Sequence, residues 1–555
     1  MDHSNPHGES GGNPLDMDVD DEGDSLSRRP QDLWRILIVL AVACAVYAFV
    51  GRQDAEIEKN AVGDYPAFMA AVAKADAIAD PLQRCLDYPD LPGSHWNAET
   101  TRAYCEFRNR KTIQLSAIED LLKQGKADEV DRTFQAYLDT QRSDATQLGL
   151  LDIAFVHAGF DVADEHVRQV IDLWKQQSPE SAFAFAASGV QYTDAAQQAR
   201  GDGTIENVSD QQKQRMNQQL ALARKDLDRA VALDPTVTAI YPSMIHVGGL
   251  RGDDAYMDKA AGLGLKADPS NFGIRAQIMN HARLRWSHHS NDVHFGGVTK
   301  QRAEVLSLAS KNPLLRMVAQ QVAVDRATCG CNRMRAETNR LVVEARDSNL
   351  NSASMIELAA ALYDADPRLA VELYSESLRF DPTDIDVLRW RSQEMIALGD
   401  KSGAAATLAE VSRRFPDDHA MAAQLGNIYA QTGDVKQAEA TLLALLQRYP
   451  DDYNAMGTLG DLYNHAGHQP EKAEALADAL ISKYPDKAAG YILRSCNQMD
   501  HQLPGVYDTI HYFIDHFGDD PHWKAQTAEM RAYLVKHPEQ SGLKGAQNGP
   551  AAGNA

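Results

Sequence analysis

Four prolines set a period in this chain. Phe380-Asp381-Pro382, Phe415-Pro416, Tyr449-Pro450 and Tyr484-Pro485 place successive prolines 34, 34 and 35 residues apart. Each follows a stretch rich in Ala, Leu, Gln, Glu and Lys with apolar residues at helical spacing. Proline has no amide donor and its ring clashes with the preceding turn, so each one ends a helix. A short helical unit repeated head to tail cannot bury its apolar face alone. It has to stack on its neighbours, and the outcome is a solenoid.

The residues between the prolines specify the unit. Segment 419–452 carries Leu425, Gly426, Tyr429, Gly433, Ala438, Leu442, Leu445 and Pro450. Segment 453–487 repeats the pattern with Leu459, Gly460, Tyr463, Gly467, Ala473, Leu480 and Pro485, with one residue inserted around Gln469-Pro470. Segment 385–418 keeps Gly399, Ala404, Leu408 and Pro416, and 351–384 keeps Ala370, Tyr374 and Pro382. At these offsets the chain resembles the tetratricopeptide repeat family. The resemblance implies pairs of helices crossing closely at Gly426 and Ala438, with Tyr429 beside them and a tight turn at Gly433-Asp434. It also implies a superhelix with a concave inner wall.

Upstream the pattern weakens. Pro235 and Pro269 are again 34 residues apart, with Ala230 and Gly252 at repeat-like offsets, so 216–270 reads as a helix followed by a degenerate repeat. Segments 113–140 and 148–178 read as helical hairpins turning at Gly125 and Gly159. The stretch 179–335 resembles uncharacterised bacterial proteins with a divergent helical-hairpin domain, a resemblance that implies no activity. No run of alternating β-branched residues appears. The expected fold class is all-α, a helical-hairpin repeat solenoid after one N-terminal transmembrane helix.

That helix is expected from Leu33 to Gly51. Its uninterrupted apolar core, Ile36 to Val50, is 15 residues, short of the roughly 20 needed to cross about 30 Å of hydrocarbon. Leu33 and Trp34 extend it, with Arg35 and Arg52 snorkelling and Trp34 and Tyr47 near the interfaces. A cleaved secretory signal has a similar apolar stretch. Against cleavage, the segment before it carries Asp16, Asp18, Asp20, Asp21, Glu22 and Asp24, whereas signal n-regions are short and basic. Arg28, Arg29 and Arg35 precede the span, while Arg52 and Lys59 follow it among Asp54, Glu56 and Glu58. The positive-inside bias therefore puts the N-terminus in the cytoplasm and the repeats across the inner membrane, in a bacterial periplasm.

The charge balance narrows the partners. With 78 acidic residues against 55 Lys and Arg the net charge is −23, and no basic cluster tracks a phosphate backbone, so nucleic acid is excluded as an expected partner. An oxidising compartment permits disulfides. Cys85 and Cys105 bracket a loop-like segment with two prolines, and are expected to pair. Cys329-Gly-Cys331 reads as a strained disulfide, half a metal site or a redox pair. Cys44 lies in the apolar run, and Cys496 reads as a small buried hydrophobe.

Chemistry-bearing motifs are scarce. His288, His289, Asp292 and His294 gather donors that transition metals accept, but no helix-borne histidine pair or second cysteine cluster joins them, so an exposed polar loop is expected. His281 is placed in a helix. The chain has no phosphate loop, Gly-x-Ser-x-Gly elbow, His-Glu-x-x-His or dinucleotide fingerprint. Acidic pairs such as Asp417-Asp418 and Asp451-Asp452 read as helix caps. The expectation is no enzyme, no catalytic residue, no metal and no cofactor.

The groove remains. The resemblance puts its wall on the first helix of each repeat, at Arg389, Gln393, Asn427, Gln431, Asn454, Asp461, Asn464 and His465. The Lys and Arg that family members use to clamp a peptide's terminal carboxylate are missing apart from Arg389. Amides instead suit hydrogen bonding to a peptide backbone. The chain is thus expected to comprise a disordered acidic cytoplasmic tail (1–32), an anchor (33–51), a divergent hairpin domain (52–350), the repeat array (351–487), a degenerate hairpin with a capping helix (488–540) and a disordered tail (541–555). Its expected work is that of a membrane-anchored, non-enzymatic periplasmic scaffold for partner proteins or peptides. Alternatives are a chaperone-like accessory of protein translocation or cytochrome maturation, and an envelope metal or redox protein using His288–His294 or Cys329 and Cys331.

Overall fold

The structure, a computed structural model, describes residues 65–201, 207–283, 294–328, 335–362 and 366–538. The expected anchor at 33–51, the tails at 1–32 and 541–555, and His288, His289, Asp292, Cys329 and Cys331 lie outside them. The described residues fall in one compact unit, 61–555. Among them every regular element is helical, and no helix is long and apolar enough to cross a membrane.

Three short helices come first: α1 (Tyr65–Asp76), α2 (Pro81–Asp87) and α3 (Ala98–Arg108). A run of hairpins follows: α4 (Leu115–Lys123), α5 (Ala127–Ser143), α6 (Leu150–His157), α7 (Glu165–Gln177), α8 (Ala182–Arg200), α9 (Asp210–Leu233), α10 (Ile240–Arg251) and α11 (Asp254–Ala267). Next come α12 (Phe272–His281), α13 (Gly297–Leu308), α14 (Leu315–Thr328) and α15 (Arg335–Ala345). The proline-delimited repeats are α16 (Ser352–Ala361) with α17 (Pro367–Phe380), α18 (Ile385–Leu398) with α19 (Lys401–Arg414), α20 (His419–Gln431) with α21 (Val435–Arg448), and α22 (Tyr453–Asn464) with α23 (Pro470–Lys483). A further hairpin, α24 (Ala489–His501) and α25 (Val506–Phe517), is followed by α26 (Lys524–Lys536).

Two kinds of glycine make the hairpins. Gly399 and Gly433 sit at φ +81° and +78°, and a Cβ there would meet nothing within 4 Å. The backbone angle, not crowding, therefore calls for glycine. Gly248 is the opposite case: a Cβ on this helical residue would lie 2.9 Å from the Met257 amide nitrogen and 3.0 Å from its Cα, so α10 and α11 touch backbone to backbone. Gly248→Ala is expected to cost about 1–3 kcal/mol by forcing the pair apart, read by chemical denaturation. A variant as stable as the parent would show that the hairpin yields freely.

The upstream hairpins close on an aromatic cluster. Phe134 lies with its ring 5.4 Å from both Phe155 and Trp174 and 5.9 Å from Phe160, and the buried Trp174 donates from Nε1 to Asp131 at 3.0 Å. The first three helices do not join this cluster. Cys85, Leu91, Trp96, Tyr104, Cys105 and Phe107 belong to an apolar cluster that continues through Leu314, Leu341, Leu373 and Leu408 to Ile428. Apolar packing therefore runs across residue 350, where the repeat pattern had suggested a domain boundary. Residues 65–108 form a strap laid over α17, held internally by the Cys85–Cys105 disulfide.

The strap explains why α17 is buried from Leu369 to Phe380. The last carbonyls of a helix have no partner within it. Here Arg84 Nη1 donates to the Leu378 and Arg379 carbonyls (3.0 and 3.2 Å) and Arg108 Nε to that of Phe380 (3.2 Å). Cations at a helix C-terminus also favour its dipole. In return Arg379 Nε donates to the Cys85 carbonyl at 2.7 Å. Further along, Trp96 Nε1 donates to the Arg346 carbonyl (3.0 Å) and the Asn97 amide to Asn349 Oδ1 (2.7 Å).

Burial on all sides leaves two carboxyls of α17 in an unfavourable place. Glu372, 3.3 Å from Arg346, is pushed up to about 8 by desolvation, against the attraction of Arg346. Desolvation likewise pushes Glu376 up to about 7, against Arg379. Each folded value lies above the unfolded one, so the native state holds protons that the unfolded chain releases. The stability this confers is complete below about pH 4.5 and is lost as pH rises through 7 to 8. Glu372→Gln is expected to flatten the wild-type decline over that window by up to ~1.4 kcal/mol per pH unit. Parallel stability curves for the two proteins, measured by denaturant titration at pH 5, 6.5 and 8, would refute this.

Candidate functional site

The first helices of the array, α18, α20 and α22, start on aspartates. Asp384 accepts from the Asp386 and Val387 amides at 3.1 Å, Asp418 from Met421 N at 3.2 Å and Asp452 from Ala455 N at 2.8 Å. These caps satisfy amides that the helix leaves open. The acids just before two of the caps do something else: Asp417 pairs with Arg448 and Asp451 with Lys483. The same cations donate to the Pro416 and Pro450 carbonyls (2.6 and 3.4 Å), as Arg414 does to that of Pro382 (2.6 Å). In the repeats that end at Pro416, Pro450 and Pro485, the cation two residues before the proline thus ties it to the proline of the repeat before. The signal, a basic residue at one offset in three successive units, is in the sequence, but reading the acidic pairs only as caps missed it.

Most of the amide wall faces solvent. Gln393, Asn427, Gln431, Asn454, Asp461 and His465 are exposed. Asn427 and Gln431 are one turn apart on α20, with Gln431 Nε2 donating to Asn427 Oδ1 at 3.3 Å. Two of the expected residues are otherwise engaged. Arg389 donates from Nε to Asp418 at 3.0 Å and pairs with Asp386 at 3.0 Å, and the hydrogen bond to Asp418 holds its guanidinium above the usual value. Asn464 is 2 % exposed and donates to Asp500 at 2.9 Å, while its carbonyl lies 3.3 Å from His501 Nε2. It fastens α22 to α24 and is not available to a ligand, because the next repeat covers it.

Trp390 adds a group that the sequence reading passed over. It is 39 % exposed, lies within a turn of Gln393, and tilts against Tyr374 at 5.9 Å. Together these residues offer amide donors and acceptors beside one aromatic surface, which can bind a polypeptide backbone and one apolar side chain.

Of the groups flagged for metal or redox chemistry, His294 lies among the described residues. His281 on α12 is buried, its Nε2 3.2 Å from His246 Nδ1. Burial drives His246 down to about 4 and His281 to about 3, so both are neutral at pH 7. His294 lies 3.8 Å from Asp254. Among the described residues no three His, Cys, Asp or Glu side chains are grouped to hold a metal ion. Burial pushes the Cys496 thiol up to about 12, which keeps it protonated and unreactive.

Comparison with known proteins bears on the array. No curated protein matches the chain. Among solved structures, the P58(IPK) TPR domain is 11% identical over 58% of this chain and 95% of that one, with a TM-score of 0.20. Yeast Tom70 is 11% identical over 77% of this chain and 97% of that one, with a TM-score of 0.30. Both likenesses are too loose to bear on function. The tetratricopeptide repeat model matches residues 395–459, from the end of α18 into α22. Over these residues the chain is similar to tetratricopeptide repeats, and Asn427, Gln431 and Asn454 of the amide wall lie within them.

Proposed function

We propose that the chain is a non-enzymatic scaffold whose repeats bind partner polypeptides in a bacterial envelope, held at the inner membrane by the apolar run 33–51. The observation that carries this reading is the exposed amide wall of Gln393, Asn427, Gln431 and Asn454, the last three within the residues that match the tetratricopeptide repeat. Extended or helical segments bind to such walls through their own backbone groups and a few side-chain anchors, and Trp390 is the anchor we assign. Tethering raises the local concentration of array and membrane partners, so weak contacts suffice.

Photoreactive residues at Asn427 and Asn454, compared in intact cells with one at the exposed Ala444 on α21, test the wall. Capture of one polypeptide from both wall positions and none from Ala444 is expected. Capture only from Ala444 would move the interface to the other face. A reporter that works only in the cytoplasm, fused after Gln547, is expected to stay silent, and its activity would overturn the assigned topology.

A further inference from the structure

A cavity of about 670 Å³ lies between the strap helices α1 and α2 and the repeat helices α17–α19. Met69, Val72, Leu378, Leu388 and Met395 give it apolar walls. Four arginines and three carboxylates also line it, and nearly all of them are committed. Asp76 pairs with Arg84. Asp400 accepts from Tyr65 Oη at 3.2 Å and from the Gly403 amide at 2.9 Å. Glu410 pairs with Arg413 at 2.6 Å and Arg414 at 2.5 Å.

Arg391 is the exception. It is 6 % exposed, and among the described residues its hydrogen bond runs from Nη2 to Thr407 Oγ1 at 3.3 Å, while its fully buried Nε and Nη1 have no hydrogen-bond partner there. A buried donor left unmade costs about 1–3 kcal/mol, and more when charged. A pocket that sets such a cation against apolar walls complements an anion with an apolar body. The single surplus positive charge matches one negative charge, and the three lining carboxylates repel a dianion.

We propose that this cavity is a binding site for a small organic carboxylate on an aliphatic stem, the carboxylate accepting from Arg391 and the stem lying along Met69, Val72 and Met395. Ala73 and Ala406 line the cavity and are exposed, which marks its mouth.

Calorimetric titration of the full chain with sodium octanoate, 1-octanol and sodium phosphate tests the site. Octanoate is expected to bind saturably at one site, octanol at least tenfold more weakly, and phosphate not at all. Arg391→Met is expected to weaken octanoate at least tenfold. Ala406→Trp, at an exposed position, is expected to abolish binding by closing the mouth while leaving Arg391 in place, and it decides the matter should the arginine variant fail to fold. No saturable octanoate binding, octanol binding as tight as octanoate, phosphate binding at the same site, or an affinity unchanged by Ala406→Trp would each overturn the proposal.

Discussion

Arg379→Met is expected to destabilise the docked strap by about 3–5 kcal/mol, the range found when one partner of a buried ion pair is removed. Arg379 is 3 % exposed and joins three groups: the Cys85 carbonyl at 2.7 Å, Asp90 at 2.7 Å and Glu376 at 2.8 Å. Methionine keeps most of the volume and removes all the donors. The Cys85 carbonyl and the buried Glu376 carboxyl are then left without their partner, and each such loss is costly in a dry interior. Hydrogen exchange locates the effect: amides of α1–α3 should lose protection before those of α4–α11, which pack on a separate aromatic cluster. Adding Glu376→Gln should recover part of the loss by removing the uncompensated acid. Unchanged protection in the single variant would show that the strap is held by apolar contact alone.

Removing the Cys85–Cys105 bond by Cys85→Ala with Cys105→Ala is expected to cost about 3 kcal/mol, from the greater freedom of the opened loop in the unfolded chain. The bond spans 20 residues and both cysteines are fully buried. The loop it closes runs from the end of α2 into α3, and Arg84 and Arg108, which donate to the last carbonyls of α17, flank it on either side. The loss should appear in hydrogen exchange as early opening of residues 65–108. Equal midpoints for parent and variant in denaturant, with and without reductant, would contradict it.

Much of the array was legible in the sequence because its determinants are local. Prolines end helices wherever they fall, Gly399 and Gly433 turn the chain by their own backbone freedom, and the aspartates cap whatever helix follows. The proposed groove wall was legible only by position. Gln393, Asn427, Gln431 and Asn454 are exposed, but Asn464 is covered by α24, and Arg389 is held by Asp418, the cap of the next repeat's first helix. Whether a first-helix residue is open depends on the neighbouring repeat, which an offset within one repeat does not encode.

By itself the sequence determined the all-helical architecture, the period of the repeats and the places where helices begin and end, since these follow from backbone chemistry within a few residues. The tertiary structure alone decided that residues 65–108 fold back across the array. Arg84 and Arg108 find the last carbonyls of α17 some 270 to 295 residues away. No periodicity marks that pairing: it arises because the end of a fully buried helix must have its carbonyls satisfied by whatever donors the fold brings there. The same docking encloses Arg391, and a charge that reads as one more arginine on a helix becomes the lining of a cavity.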